Sequence, residues 1–170
     1  MDKRLELYQN LLLKKKLRGL HDLYFFNKYI LEGDSNRRKM LVPHVHGQWS
    51  AWYHGSKKKI RLLLVPRNSF KTTFITIGGT LQKIAKDRNV RILLTNATLD
   101  NAQRFLLEIK EHLAKNETYK MLYGETYDPK LKWNENEITV SNRSLNLKEA
   151  TVTTTGVGGN LVSQHYSTIF

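Results

Sequence analysis

The run IRLLLVPRNSFKTT, residues 60–73, limits the fold more than any other part of the chain. Its apolar first half reads as a strand that stops at Pro66. Lys71 and Thr72 then open a helix in which Phe74, Ile77, Leu81 and Ile84 recur on one face. A strand that passes through a short basic loop into a helix builds a phosphate cradle. Backbone N–H groups at the helix start point at an anion, Lys71 supplies a compact positive charge, and the Thr72 hydroxyl suits the shell of a Mg²⁺ ion. The candidate binding residues are Pro66, Arg67, Asn68, Ser69, Phe70, Lys71, Thr72 and Thr73, and the ligand they imply is a nucleoside triphosphate.

The spacing departs from the usual phosphate loop, G-x-x-x-x-G-K-[ST], because Val65 and Phe70 stand where glycine is required. Glycine reaches positive φ at little cost, so Phe70 must accept a less accommodating backbone. On the residues alone an ordinary strand-to-helix turn is the alternative, with Ser69 as N-cap and Lys71 a solvated lysine.

Strand and helix repeat after the loop. A strand is expected over residues 90–95. The helix that follows has Asp100 available as its cap and Ala102, Phe105, Leu106, Ile109 and Leu113 as its apolar stripe, and it ends at Asn116. This alternation implies a parallel sheet whose connections are right-handed and whose ligands sit beyond the carboxyl ends of the strands. Residues 119–132 read as an irregular excursion. Residues 137–140, 144–147 and 150–155 read as short strands, and residues 166–170 as a buried one. Before the loop, residues 4–31 read as two helices separated at Gly19, residues 33–36 as a loop, and Pro43 as the lead into a short helix. The organisation expected is a helical lid or packing segment over residues 1–57 and a core over residues 58–170.

Lys and Arg number 28 against 15 Asp and Glu, a net charge of +13 that favours a polyanionic partner. Clusters at residues 14–16, 37–39 and 57–59 suit phosphate contacts without base reading. There is no cysteine, which excludes disulfides and thiolate metal sites, and no apolar run long enough to span a membrane. His44, His46 and His54 lack a supporting carboxylate cluster and read as packing or surface residues. The GVGG at residues 156–159 has the wrong spacing for a dinucleotide fingerprint and reads as a loop.

Four stretches carry a resemblance to a known family: LVPHVHGQW, VPRNSFKTT, RILLTNAT and KEATVTTTGVGGNLVSQHYSTIF. In that order and spacing they resemble the N-terminal ATPase region of the large terminase subunit, the DNA-packaging motor of tailed bacteriophages. The resemblance implies a P-loop NTPase of the ASCE type, a three-layer α/β sandwich with a mainly parallel sheet, incomplete at its C-terminus and preceded by short helices. It implies ATP and Mg²⁺ as cofactors, with Lys71 on the phosphates, Arg67 near the γ-phosphate, Thr72 on the metal and Gln48 at the adenine beside Trp49. The partners it implies are double-stranded DNA, a small terminase subunit, a portal and like subunits in a ring, in the host cytoplasm.

The family continues from a stretch like HYSTIF into the two acids that hold Mg²⁺ and orient the attacking water. Nothing follows Phe170 here. The resemblance therefore implies a chain that binds nucleotide but hydrolyses it poorly, without the family's nuclease. The alternative is a basic nucleic-acid-binding module with a vestigial loop.

Overall fold

Ile92, Leu93 and Leu94 are buried in succession. Successive strand side chains point to opposite faces, so the sheet is covered on both sides here. They lie in β1 (Ile92–Asn96) of a computed structural model that describes residues 3–33, 35–159 and 163–170. Asp34 of the expected 33–36 loop, and residues 160–162 ahead of the last strand, fall outside the described residues.

Three further strands, β2 (Glu137–Ile138), β3 (Val152–Gly156) and β4 (Thr168–Ile169), complete a four-stranded sheet in the order β2-β3-β1-β4. β1 runs parallel to β3, with Ile92 opposite Val152, and parallel to β4, with Ile92 opposite Thr168. β2 is antiparallel to β3. The protein is thus mixed α/β with an open, mostly parallel sheet.

The helices before the sheet are α1 (Lys3–His21), α2 (Leu23–Phe26), which continues as π-helical Asn27–Leu31, α3 (Asn36–Met40), and π-helical Pro43–Gly47 running into α4 (Gln48–Gly55). π-Helical Thr72–Ile77 leads into α5 (Gly78–Lys86). α6 (Leu99–Lys115) follows β1, and α7 (Glu117–Tyr123) follows α6. One hydrophobic core joins them: Leu23, Phe26, Ile30 and Leu41 from the N-terminal helices are buried with Phe74, Leu81, Ile92 and Leu106. No helix among the described residues is long and apolar enough to cross a membrane.

Several local expectations are corrected. Residues 60–65 pair with no strand among the described residues, and Ile60, Leu62 and Leu64 are 92%, 76% and 81% exposed. Gly19 lies inside α1 and does not end it. A Cβ there would fall 2.5 Å from Cδ1 of Ile30, so this glycine serves close approach, and the chain breaks at Asp22 instead. Asp22 caps α2 by accepting from the N–H of Phe25 at 3.0 Å. Thr98, rather than Asp100, caps α6 by accepting from the N–H of Asn101 at 3.3 Å. The strand expected at 90–95 begins two residues later, at Ile92, and ends at Asn96, and the one at 150–155 begins at Val152. Residues 144–147 form no strand, the 137–140 strand is confined to Glu137–Ile138, and the first part of the 119–132 excursion is α7. The final strand is not buried, because β4 is a sheet edge and Ile169 is 62% exposed.

Asn116 ties three elements together. Its Oδ1 caps α7 by accepting from the N–H of Tyr119 at 2.9 Å, and its Nδ2 donates to the carbonyls of Ile30 at 3.1 Å and Leu31 at 3.0 Å. Asn116→Ala removes a helix cap and strands two carbonyls at once. Urea denaturation should show it less stable by about 2 kcal/mol.

Candidate functional site

Residues 66–73 line an open pocket of about 420 Å³, to which all eight contribute. The Ser69 hydroxyl donates to the carbonyl of Pro66 at 2.7 Å and closes the turn. Lys71 folds back so that its Nζ donates to the carbonyl of Val65 at 3.4 Å, which keeps the ammonium over the loop. The Phe74 N–H reaches the carbonyl of Phe70 at 2.8 Å and starts the helix. No carboxylate is among the lining residues.

Backbone geometry gives the loop its character. Asn68 and Phe70 take φ of +61° and +60°, whereas Lys71 is right-handed at φ −56°, ψ −42°. A residue at positive φ followed by a right-handed one is a conformation that can turn consecutive N–H groups toward a common anion. The N–H groups of the first helical turn, which have no partner within the helix, lie at the same place. Asparagine tolerates a positive φ; for a phenylalanine it costs about 1 kcal/mol or more. Phe70 offsets that cost by packing, half-buried, against the hydrophobic core.

An anchor that the sequence did not reveal holds the loop from the other side. His46 is 4% exposed, and its Nε2 lies 3.3 Å from the carbonyl of Ser69. Its Nδ1 lies 3.1 Å from the N–H of Val42. The Ser69 carbonyl and Val42 N–H contacts are satisfied together when Nε2 donates and Nδ1 accepts, and the Val42 carbonyl also lies 3.3 Å from Nδ1. The ring packs at 4.8 Å from Trp49 and 5.4 Å from Phe74. The sequence reading of His46 as a packing or surface residue holds for its packing, but nothing in the H-x-H pattern at 44–46 indicated that its partner would be the loop. Among the described residues no group of three or more His, Asp or Glu could hold a metal ion.

Gln48, unlike residues 66–73, is not among the residues that line this pocket. Gln48 is exposed at the first position of α4, while Trp49 beside it is half-buried and packs edge-on against Phe74 at 5.9 Å. Arg67 is exposed at the loop tip, and Thr72 and Thr73 are half-buried in the first helical turn. Elsewhere, the His165 N–H donates to Glu149 at 2.9 Å, and Arg143 donates to the Glu149 carbonyl at 3.0 Å, which gives both residues structural partners within the chain.

Comparison of the chain with models of known families, with curated proteins and with solved structures finds no match. His46→Phe keeps the aromatic packing but deletes both hydrogen bonds. It should destabilise the protein by about 1–2 kcal/mol in urea denaturation at neutral pH.

Proposed function

We propose that the chain is a nucleotide-binding module that holds the triphosphate of ATP in the 66–73 loop. The observation that carries this reading is the Phe70–Lys71 alternation of backbone hand at the start of a helix. A solvated turn has no need of a phenylalanine at φ +60°, whereas a loop that converges N–H groups on an anion does. Lys71 adds the charge at that point, and the exposed Arg67 adds a second cation at the rim. Thr72 would give its hydroxyl to Mg²⁺, whose remaining ligands would be phosphate oxygens and water and whose charge would offset that of the phosphates.

The finer reading is a P-loop ATPase of the kind found in terminase large subunits. The mostly parallel sheet and the loop-to-helix geometry support it, and so do the motifs VPRNSFKTT and RILLTNAT. On this reading double-stranded DNA is the polyanion that the +13 charge serves. A small subunit, a portal and a ring of like subunits would complete the motor in the host cytoplasm. Phosphoryl transfer to water also needs a group that orients the nucleophile, and no carboxylate lines the cavity. Turnover by this chain is therefore slow. The second reading, a basic nucleic-acid-binding module with a vestigial loop, draws on the charge alone.

Calorimetric titration with Mg²⁺ and a non-hydrolysable ATP analogue separates the two. Specific binding should weaken at least about tenfold in Lys71→Ala, the loss expected for a charged hydrogen bond. A folded wild-type protein that ignores the analogue would leave only the nucleic-acid reading.

A further inference from the structure

A second, larger cleft of about 610 Å³ lies between residues 58–61 and β4. One wall carries Lys58, Lys59, Ile60 and Arg61. The other is the chain from Tyr166 to Phe170, and Lys83 of α5 also lines the space.

Both walls have the character of strands that lack a neighbour. Ile60, Leu62 and Leu64 alternate along their segment and are each more than three-quarters exposed. That is the period-two pattern of a sheet element, on a segment that pairs with no strand among the described residues. Opposite, β4 is the sheet edge. Its Phe170 donates to the carbonyl of Leu93 at 2.8 Å and accepts from the N–H of Thr95 at 2.7 Å, and its Thr168 N–H bonds the carbonyl of Arg91 at 3.2 Å. Alternation along a parallel strand then turns the N–H and C=O of the intervening Ile169 outward, into the cleft that Ile169 lines.

The electrostatics are one-sided. Four cations, Lys58, Lys59, Arg61 and Lys83, line the cleft, with no Asp or Glu among the lining residues. Burial, and then the proximity of Arg61, lowers the pKa of Lys83 below the ordinary lysine value. Arg61 is held in place, with its guanidinium 5.6 Å from the Trp52 ring and 5.2 Å from the Tyr53 ring while it donates to the carbonyl of Tyr53. A fixed, unneutralised cation beside an open strand edge is preorganised for a carboxylate.

We propose that this cleft binds an extended acidic segment of a partner protein, which adds as a strand against β4 with its apolar side chains on Ile60 and Ile169 and its carboxylates on the four cations. Strand addition is the mode that satisfies an open edge with main-chain bonds and takes specificity from alternate side chains. A second copy of the chain is a poor occupant because it also carries +13. Nucleic acid would answer the cations but would leave the Ile169 amide edge and the apolar surface uncovered. The inference is independent of the nucleotide reading, since none of residues 66–73 lines this cleft.

The test is anisotropy of the full chain with a fluorescein-labelled peptide, acetyl-Val-Glu-Val-Glu-Val-Glu-amide, together with amide exchange by NMR. The peptide should bind saturably and its Val-Lys counterpart should not. Exchange at the Ile169 N–H should slow at least about tenfold on binding, and Arg61→Glu should weaken affinity at least about tenfold. If Arg61→Glu does not fold, Lys59→Glu, at an exposed position, carries the same comparison. Absence of binding at millimolar peptide would overturn the proposal, as would binding that leaves Ile169 exchange unchanged. Displacement of the peptide by a short single-stranded oligonucleotide that binds more tightly would also overturn it, and would make the cleft a nucleic-acid groove.

Discussion

The pairing of β1 on both of its edges, together with its burial on both faces, is the constraint on which everything else in the molecule rests. Ile92 and Leu94 face the core shared with Phe26, Phe74 and Leu106, while the ladder bonds fix β3 on one side and β4 on the other. A strand enclosed in this way has no freedom to slip, because a shift of one residue would exchange its two packed faces. The carboxyl ends of β1 and β3, the start of α6 and the course of the chain into β4 are set by that register. Gly156 shows how tightly: a Cβ there would stand 2.9 Å from the backbone nitrogen of Leu99, so the end of β3 and the beginning of α6 meet without room for a side chain.

The 66–73 loop is joined to this frame through aromatic packing and one imidazole. Phe74, the first fully buried residue after the loop, contacts His46 and Trp49, and His46 in turn holds the carbonyl of Ser69. The N-terminal helices therefore act on the loop through a physical chain of contacts. The tie between Pro43–Gly47 and the loop is at the Ser69 carbonyl, while Phe70 packs on the core and its carbonyl starts the helix that follows. A positive φ at a phenylalanine persists only where surrounding contacts hold it, and these supply them.

Periodicity made the helices legible. The stripes at Phe74, Ile77, Leu81 and Ile84 and at Ala102, Leu106, Ile109 and Leu113 are buried in the structure, with Phe105 of the second half-buried, and the α/β alternation gives a mostly parallel sheet. Strands were read less well. Residues 60–65 carry a better strand pattern than β4, yet β4 pairs and they do not, because pairing depends on a distant neighbour that composition cannot supply. Gly19 looked like punctuation and is a contact, since a glycine needed for close approach and one needed for a turn are identical in sequence. The loop residues were legible as a group by their spacing. The support from His46 was not, because it is made by a side chain 23 positions away, and a residue read as packing does not announce which distant carbonyl it meets.

Residues 58–65 connect the two cation-rich places on this chain. Their first part walls the cleft beside β4, and their last residue, Val65, offers the carbonyl on which Lys71 rests. Ile60, Leu62 and Leu64 of this segment stand in water, an unfavourable arrangement worth about 1.5–3 kcal/mol for each large side chain that becomes fully covered. A strand seated against Ile60 would recover part of that free energy only by fixing the backbone of the segment. It would thereby fix the Val65 carbonyl as well. An anion that draws Lys71 away from Val65 acts on the same backbone from its other end. Two ligands that bias one segment are coupled, and the coupling is reciprocal by necessity: whatever the occupied cleft does to anion affinity at the loop, the occupied loop does equally to affinity at the cleft.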